Sequence, residues 1–237
     1  MKTITSLVAL GLWLVLLQPL LALSAQTLTV DQVLKNMEDA NAKYPSLQGK
    51  IFKTKHDGVF AGEDDISSGK FWILHTGNSP RQIKIDLDKP AKEFFLIEKG
   101  SFKHYRPAAR DAEIKNNLTK DTQAEFECVF LGLCQSSAVI KQYYNVSLVG
   151  QETITGIKTT LLELKPKDKN HPKGIGSIRL WLDSAKWIPV QTRVIESNGT
   201  YINALYSNIS TAKFSTSVFK LDIPVKETNI TDLKDLK

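Results

Sequence analysis

Gly69-Lys70-Phe71-Trp72-Ile73-Leu74, a turn at Gly77-Asn78-Ser79-Pro80, and then Arg81-Gln82-Ile83-Lys84-Ile85-Asp86-Leu87 read as two antiparallel strands. The second strand alternates apolar and polar residues without exception, the pattern of a strand with one buried face. The first is apolar on both parities. Working outward, Leu47, Gly49 and Ile51 alternate with Gln48, Lys50 and Phe52 before it. Residues 94–97, a turn at Lys99-Gly100, and residues 102–105 follow it. The second half resumes the meander at 146–153, 158–165, 177–182, 189–196 and 201–209, with turns at Thr155-Gly156, Asp183-Ser184 and Asn198-Gly199. Phe219-Lys220-Leu221 is the last predicted strand, ahead of a polar tail.

Two segments break this period. Thr29 with Gln32 forms a capping box, and Val30, Val33, Leu34, Met37 and Ala40 recur at helical spacing until Tyr44-Pro45 stops the helix. Residues 120–144 are apolar without alternation and read as two short helices. The fold class is therefore α+β, mainly β. With no Gly/Ser/Pro-rich linker, residues 26–237 form one domain.

The chain has 237 residues, 42% hydrophobic and 24% charged, which excludes fibrous and disordered classes. Its 31 Lys+Arg against 25 Asp+Glu give a formal charge of +6, spread along the chain. Such a spread suits solubility or an anionic surface, and nucleic acid is not expected as a partner. Residues 165–173 are the one basic cluster, a hairpin tip suited to an acidic partner or anionic membrane. Residues 1–25 read as a signal peptide: Lys2, an apolar run at 7–17, and small residues at Ser24 and Ala25. Gln18-Pro19 breaks that run below the length of about 20 apolar residues needed to span a membrane. In an exported protein, Cys128 and Cys134 are expected to form one structural disulfide, since they lack the Cys-x-x-Cys spacing of a redox pair. The four histidines are scattered singly, so no metal site and no cofactor are expected. Nucleophile elbows, phosphate loops and zinc-protease helices are all missing, and Asp64-Asp65 sits in turn chemistry, so the chain does not read as an enzyme. Five Asn-x-Ser/Thr matches stand at Asn117, Asn145, Asn198, Asn208 and Asn229. Several fall in predicted strands, where Ser and Thr alternate naturally, and they are read as coincidence, with a eukaryotic secreted protein as the alternative.

The order of these pieces resembles the LolA family of periplasmic outer-membrane lipoprotein carriers. It runs through Ser46-Leu47-Gln48-Gly49, Gly69-Lys70-Phe71-Trp72, Phe95-Leu96-Ile97-Glu98-Lys99-Gly100 and His104-Tyr105-Arg106-Pro107. It continues through Leu162-Glu163-Leu164-Lys165-Pro166, Ile178-Arg179-Leu180-Trp181-Leu182-Asp183 and Ile188-Pro189-Val190-Gln191. The resemblance implies a curved antiparallel half-barrel sheet with helices covering its concave face. It also implies a monomer that carries lipidated proteins or other lipids between an inner-membrane donor and an outer-membrane acceptor. Ile51, Trp72, Leu74, Ile83, Ile85, Phe94, Leu96, Ile178, Leu180 and Leu182 are the expected lining of a loosely filled cavity for acyl chains. Many carriers of this family hold the helical lid with an arginine just after the 71–74 strand. That position is His75 here, and Arg81 is the nearest arginine, so these two are the candidate latch. A related architecture serves in periplasmic anti-sigma regulators that sense stray lipoproteins. Those usually add a C-terminal domain, whereas this chain stops soon after its last predicted strand. An envelope lipid hydrolase is the third reading, disfavoured by the missing nucleophile–base pair.

Overall fold

The computed structural model describes residues 28–59, 62–75, 81–119, 122–123, 127, 137–168, 174–224, 226 and 228–232. The expected signal peptide, Cys128, Cys134 and most of the basic cluster at 169–173 lie outside the described residues. Helix α1 (Val30–Lys43) starts with both halves of the predicted capping box at Thr29 and Gln32 and ends at Tyr44. Its buried residues Val33, Leu34, Met37 and Ala40 are the periodic ones of the sequence. A second helix, α2 (Ser137–Tyr143), lies within the non-alternating middle segment.

The strands are β1 (Ser46–His56), β2 (Asp65–Leu74), β3 (Gln82–Lys89), β4 (Glu93–Glu98), β5 (Ser101–Arg106) and β6 (Asp111–Asn116). The second half gives β7 (Tyr144–Ile154), β8 (Ile157–Pro166), β9 (Ile175–Asp183), β10 (Pro189–Glu196), β11 (Tyr201–Ser210) and β12 (Thr228–Asp232). They form one open, curved sheet in the order β12-β6-β5-β4-β3-β2-β1-β11-β10-β9-β8-β7. All described pairs are antiparallel except β12 with β6, which is parallel. The two meanders meet where β1 pairs with β11, so β1–β6 and β7–β11 build the two halves of the sheet, with β12 added beside β6. In the middle of the sheet β2 passes so close to β3 that a Cβ on Gly69 would meet the Asp86 carbonyl oxygen at 1.8 Å. Backbone cannot yield by that distance, so the register shift between Ser68 and Gly69 requires glycine there.

One expectation is corrected at the C-terminal end. Phe219 lies in a 3₁₀ turn (Thr216–Phe219), not a strand, and residues 220–224 have no sheet pairing. The last strand is β12, inside the segment read as a polar tail. It escaped notice because five residues (Thr-Asn-Ile-Thr-Asp) with one apolar side chain give no alternation signal.

Candidate functional site

Register fixes which side chains share a face, because directly paired residues point the same way. Ile85 of β3 pairs with Phe71 and Phe95, and Ile83 pairs with Ile73 and Ile97. Ile51, Phe71, Ile73, Ile83, Ile85, Leu87, Ile97 and Tyr206 form one buried cluster with Ala40 of α1. On the other half, Leu162, Leu164, Ile178, Leu180, Leu182 and Val194 pack under Val33, Leu34 and Met37 of α1 and Ile140 of α2. Trp187 touches both clusters. The covered face is thus continuous across the sheet. The two helices are joined over it: Glu38 accepts from the Ser137 backbone N–H at 2.6 Å, and Lys141 pairs with Asp31 at 2.7 Å.

Six of the ten expected lining residues stand on this face: Ile51, Ile83, Ile85, Ile178, Leu180 and Leu182. The other four do not, and this corrects the sequence reading. Trp72 pairs with Lys84, which pairs with Leu96; Leu74 pairs with Gln82; Phe94 pairs with Asp86. Trp72, Leu74, Phe94 and Leu96 therefore belong to the opposite, outer face. The physical reason is that β2 and β4 are apolar on both parities, so alternation alone cannot orient them. Their outer face is apolar because the chain after β11 crosses it. Lys84 Nζ donates to the Val218 carbonyl at 2.8 Å and the Lys220 carbonyl at 3.3 Å, and Phe219 is buried beside this clamp. Phe71, Ile73, Phe95 and Ile97 are the covered-face residues that sequence reasoning missed; the strict alternation of β3 identifies them once register is known.

Among the described residues, the void lined by Leu47, Phe71, Ile73, Ile188 and Tyr206 measures about 10 Å³, room for no more than one water. Further along the same face Lys53, Ser67, Leu87 and Glu93 line a wider opening of about 270 Å³.

Part of that cover is held by charge. Thr119 caps a helical turn, its Oγ1 accepting from the Thr122 N–H and its carbonyl from the Gln123 N–H. Glu127, four residues beyond Gln123, is fully buried and lies 3.8 Å from the buried Arg81 guanidinium. Gln123 Nε2 donates to the Arg81 carbonyl at 3.2 Å and to Glu127 Oε1 at 3.0 Å. Burial draws the Arg81 pKa down and Glu127 opposes that shift. The β2–β3 register, extended by one step past Leu74 and Gln82, sets His75 opposite Arg81. Desolvation, then the Arg81 charge, lowers the His75 pKa. The folded chain therefore holds the His75 proton less tightly than the unfolded one, so its contribution to stability is complete above the unfolded pKa of about 6.5 and declines as pH falls towards the lower folded value. Denaturation midpoints between pH 7.5 and 5.5 are expected to fall less steeply in His75→Gln than in the wild type. Equal slopes would remove His75 from the pH response.

Among the described residues no three His, Cys, Asp or Glu side chains gather as metal ligands, and no helix is long and apolar enough to cross a membrane. With this geometry in hand, comparison with known proteins becomes specific. The model of the MucB/RseB N-terminal domain matches residues 93–218. The chain belongs to this family. An uncharacterized conserved protein from Thermus thermophilus is similar in structure, with TM-score 0.54 and 10% identity over 85% of this chain and 98% of that one. MucB is similar with TM-score 0.52 and 14% identity, covering 81% of this chain and 62% of MucB. MucB has also been solved in complex with MucA(peri). A LolA superfamily protein from Nitrosomonas europaea aligns over 82% of this chain and 98% of its own at 14% identity and TM-score 0.39. At these identities the likeness concerns the fold alone, an open sheet with helices on one face. The chain spans about three fifths of the length of the MucB chains it matches. No curated protein sequence matches it.

Proposed function

We propose that this MucB/RseB-family domain is an exported, non-catalytic carrier that shelters acyl chains of lipoproteins or other lipids on its covered face. The observation that carries this reading is a continuous apolar face with helices over it and a buried ion pair, Arg81–Glu127, between the sheet and the segment after β6. An apolar core needs no buried charge for stability, since replacing such a pair by apolar residues is often neutral or stabilising. A pair that separates as a unit can instead act as a latch between closed and open cover. Arg81 is the latch in this reading, and His75 shares its site. Each buried CH₂ of an acyl chain contributes about 0.8 kcal/mol, enough to compensate for displacing the cover. Ile51, Ile83, Ile85, Ile178, Leu180 and Leu182 are the proposed contacts for the chains. The proposed compartment is the periplasm, reached through the leader at residues 1–25, where a Cys128–Cys134 bridge would form.

Membership of the MucB/RseB family favours a second reading, a regulator whose acyl-bound and free forms differ in affinity for a protein partner, as MucB is found with MucA. One experiment separates them. The protein is recovered from envelope extracts and its bound material analysed by mass spectrometry, before and after incubation with outer-membrane vesicles. A carrier yields lipidated protein or lipid that the vesicles remove. A regulator yields a stable protein partner that added acyl ligand displaces. Recovery with neither lipid nor partner would refute both.

A further inference from the structure

On the outer face, away from the covered one, β1 and β2 place like charges directly opposite each other. Lys50 pairs with Lys70 across the strands, and both are exposed. Lys89 faces Ser68 on the neighbouring strand, one pair further along. Among the described residues none of the three lysine side chains has an ion pair, hydrogen bond or ring contact. Together with Phe52, Ser68 and Asp88 they line an open groove of about 390 Å³. Phe52 is 43% exposed, and Ile66, the next residue on the same face of β2 after Ser68, is 54% exposed. Like charges directly opposite destabilise a sheet. Lysines that blunt a free sheet edge would be unremarkable, but β1 and β2 lie in the middle of the sheet and have no edge to protect. The groove lining holds three cations and one carboxylate, Asp88, with Asp86 opposite Lys70 on β3, beside two exposed apolar side chains.

From this we infer that the Lys50–Lys70–Lys89 groove docks the protein on an anionic phospholipid surface, lysines to phosphates and Phe52 and Ile66 into the interface. Exposed aromatic and aliphatic side chains among lysines suit a headgroup layer, which offers both charge and apolar depth. An acidic polypeptide would use the charge and leave Phe52 in water. The inference stands apart from whatever the covered face carries, since these lysines, Phe52 and Ile66 all lie on the opposite side of the sheet.

The test is sedimentation of the purified protein with vesicles of phosphatidylcholine alone or with one third phosphatidylglycerol, at low and high salt. The wild type is expected to bind the anionic vesicles and to be released by salt. Lys50→Gln/Lys70→Gln is expected to bind them about 30-fold more weakly, from the general strength of a lysine at an anionic leaflet. Phe52→Ser is expected to weaken binding at low salt, where the wild type is bound. Unchanged thermal midpoints and unchanged uptake of a fluorescent fatty acid would show that the variants remain folded. No binding to anionic vesicles, equal binding to both vesicle types, or full binding by the double variant would each overturn the inference. So would lysine-dependent binding to poly-L-glutamate without vesicle binding, which would assign the groove to an acidic protein.

Discussion

Arg81→Ala is expected to destabilise the protein by about 3–5 kcal/mol, because it leaves the fully buried Glu127 carboxylate without its counter-charge. For a chain of this size that corresponds to a fall in thermal midpoint of roughly 6–20 °C. Glu127→Leu alone is expected to cost a similar amount by stranding the guanidinium. The double variant Arg81→Met/Glu127→Leu is expected to recover most of the loss, since the two apolar side chains suit the surroundings and Gln123 still has the carbonyl at position 81 as acceptor. The functional readout separates a latch from ordinary packing. With the latch broken by Arg81→Ala, a fluorescent fatty acid should enter faster than in the wild type; with the apolar pair it should enter more slowly. Thermal melts and stopped-flow uptake on the three variants test both halves. Midpoints within about 1 °C of wild type would show that the pair holds nothing. Uptake rates that ignore the pair would leave it as a structural contact only.

This pair also marks where sequence reading ends. Arg81 could be named as a latch candidate through the resemblance, but Glu127 could not, because it lies 46 positions from that arginine in a segment with no alternation. The parts that were legible share one property: the signal was local. The capping box at Thr29, the strict alternation of β3 and the Asn198-Gly199 turn each need only a few neighbouring residues. In that turn Thr200 N–H donates to the Asn198 side chain and Gly199 takes a positive φ of 90°. What failed was parity in strands apolar on both sides. Choosing Phe71 and Ile73 over Trp72 and Leu74 requires knowing that the segment after β11 returns across β3, with Lys84 clamped to Val218 and Lys220. That contact spans more than 130 residues and leaves no periodic trace. The outer-face lysines escaped for the same reason: Lys50 and Lys70 become opposed only through the β1–β2 register.

Parity gives the second large prediction, because it supplies a control that the sequence alone could not. Ile85 and Leu96 are both buried in adjacent strands, Ile85 on the covered face and Leu96 on the outer one. Ile85→Glu and Leu96→Glu each place a carboxylate in apolar surroundings, at a folding cost of several kcal/mol. The cost should be comparable, while the effect on acyl binding should not. At Ile85 the charge lies where acyl chains are proposed to lie, so binding of a fluorescent fatty acid is expected to drop beyond detection. At Leu96 it lies between β4 and the returning C-terminal segment, so molecules that remain folded should bind as the wild type does. Where either glutamate prevents folding, Ile85→Ser and Leu96→Ser carry the same comparison at the smaller cost of a lost apolar side chain and a buried hydroxyl. Binding and urea denaturation measured on the same preparations decide the matter. Loss confined to the Ile85 variants supports the covered face as the acyl site. Equal losses at both positions would mean that binding merely follows stability. A wild type that never takes up the probe would make the covered face an ordinary core, and the Arg81–Glu127 pair a structural contact inside it.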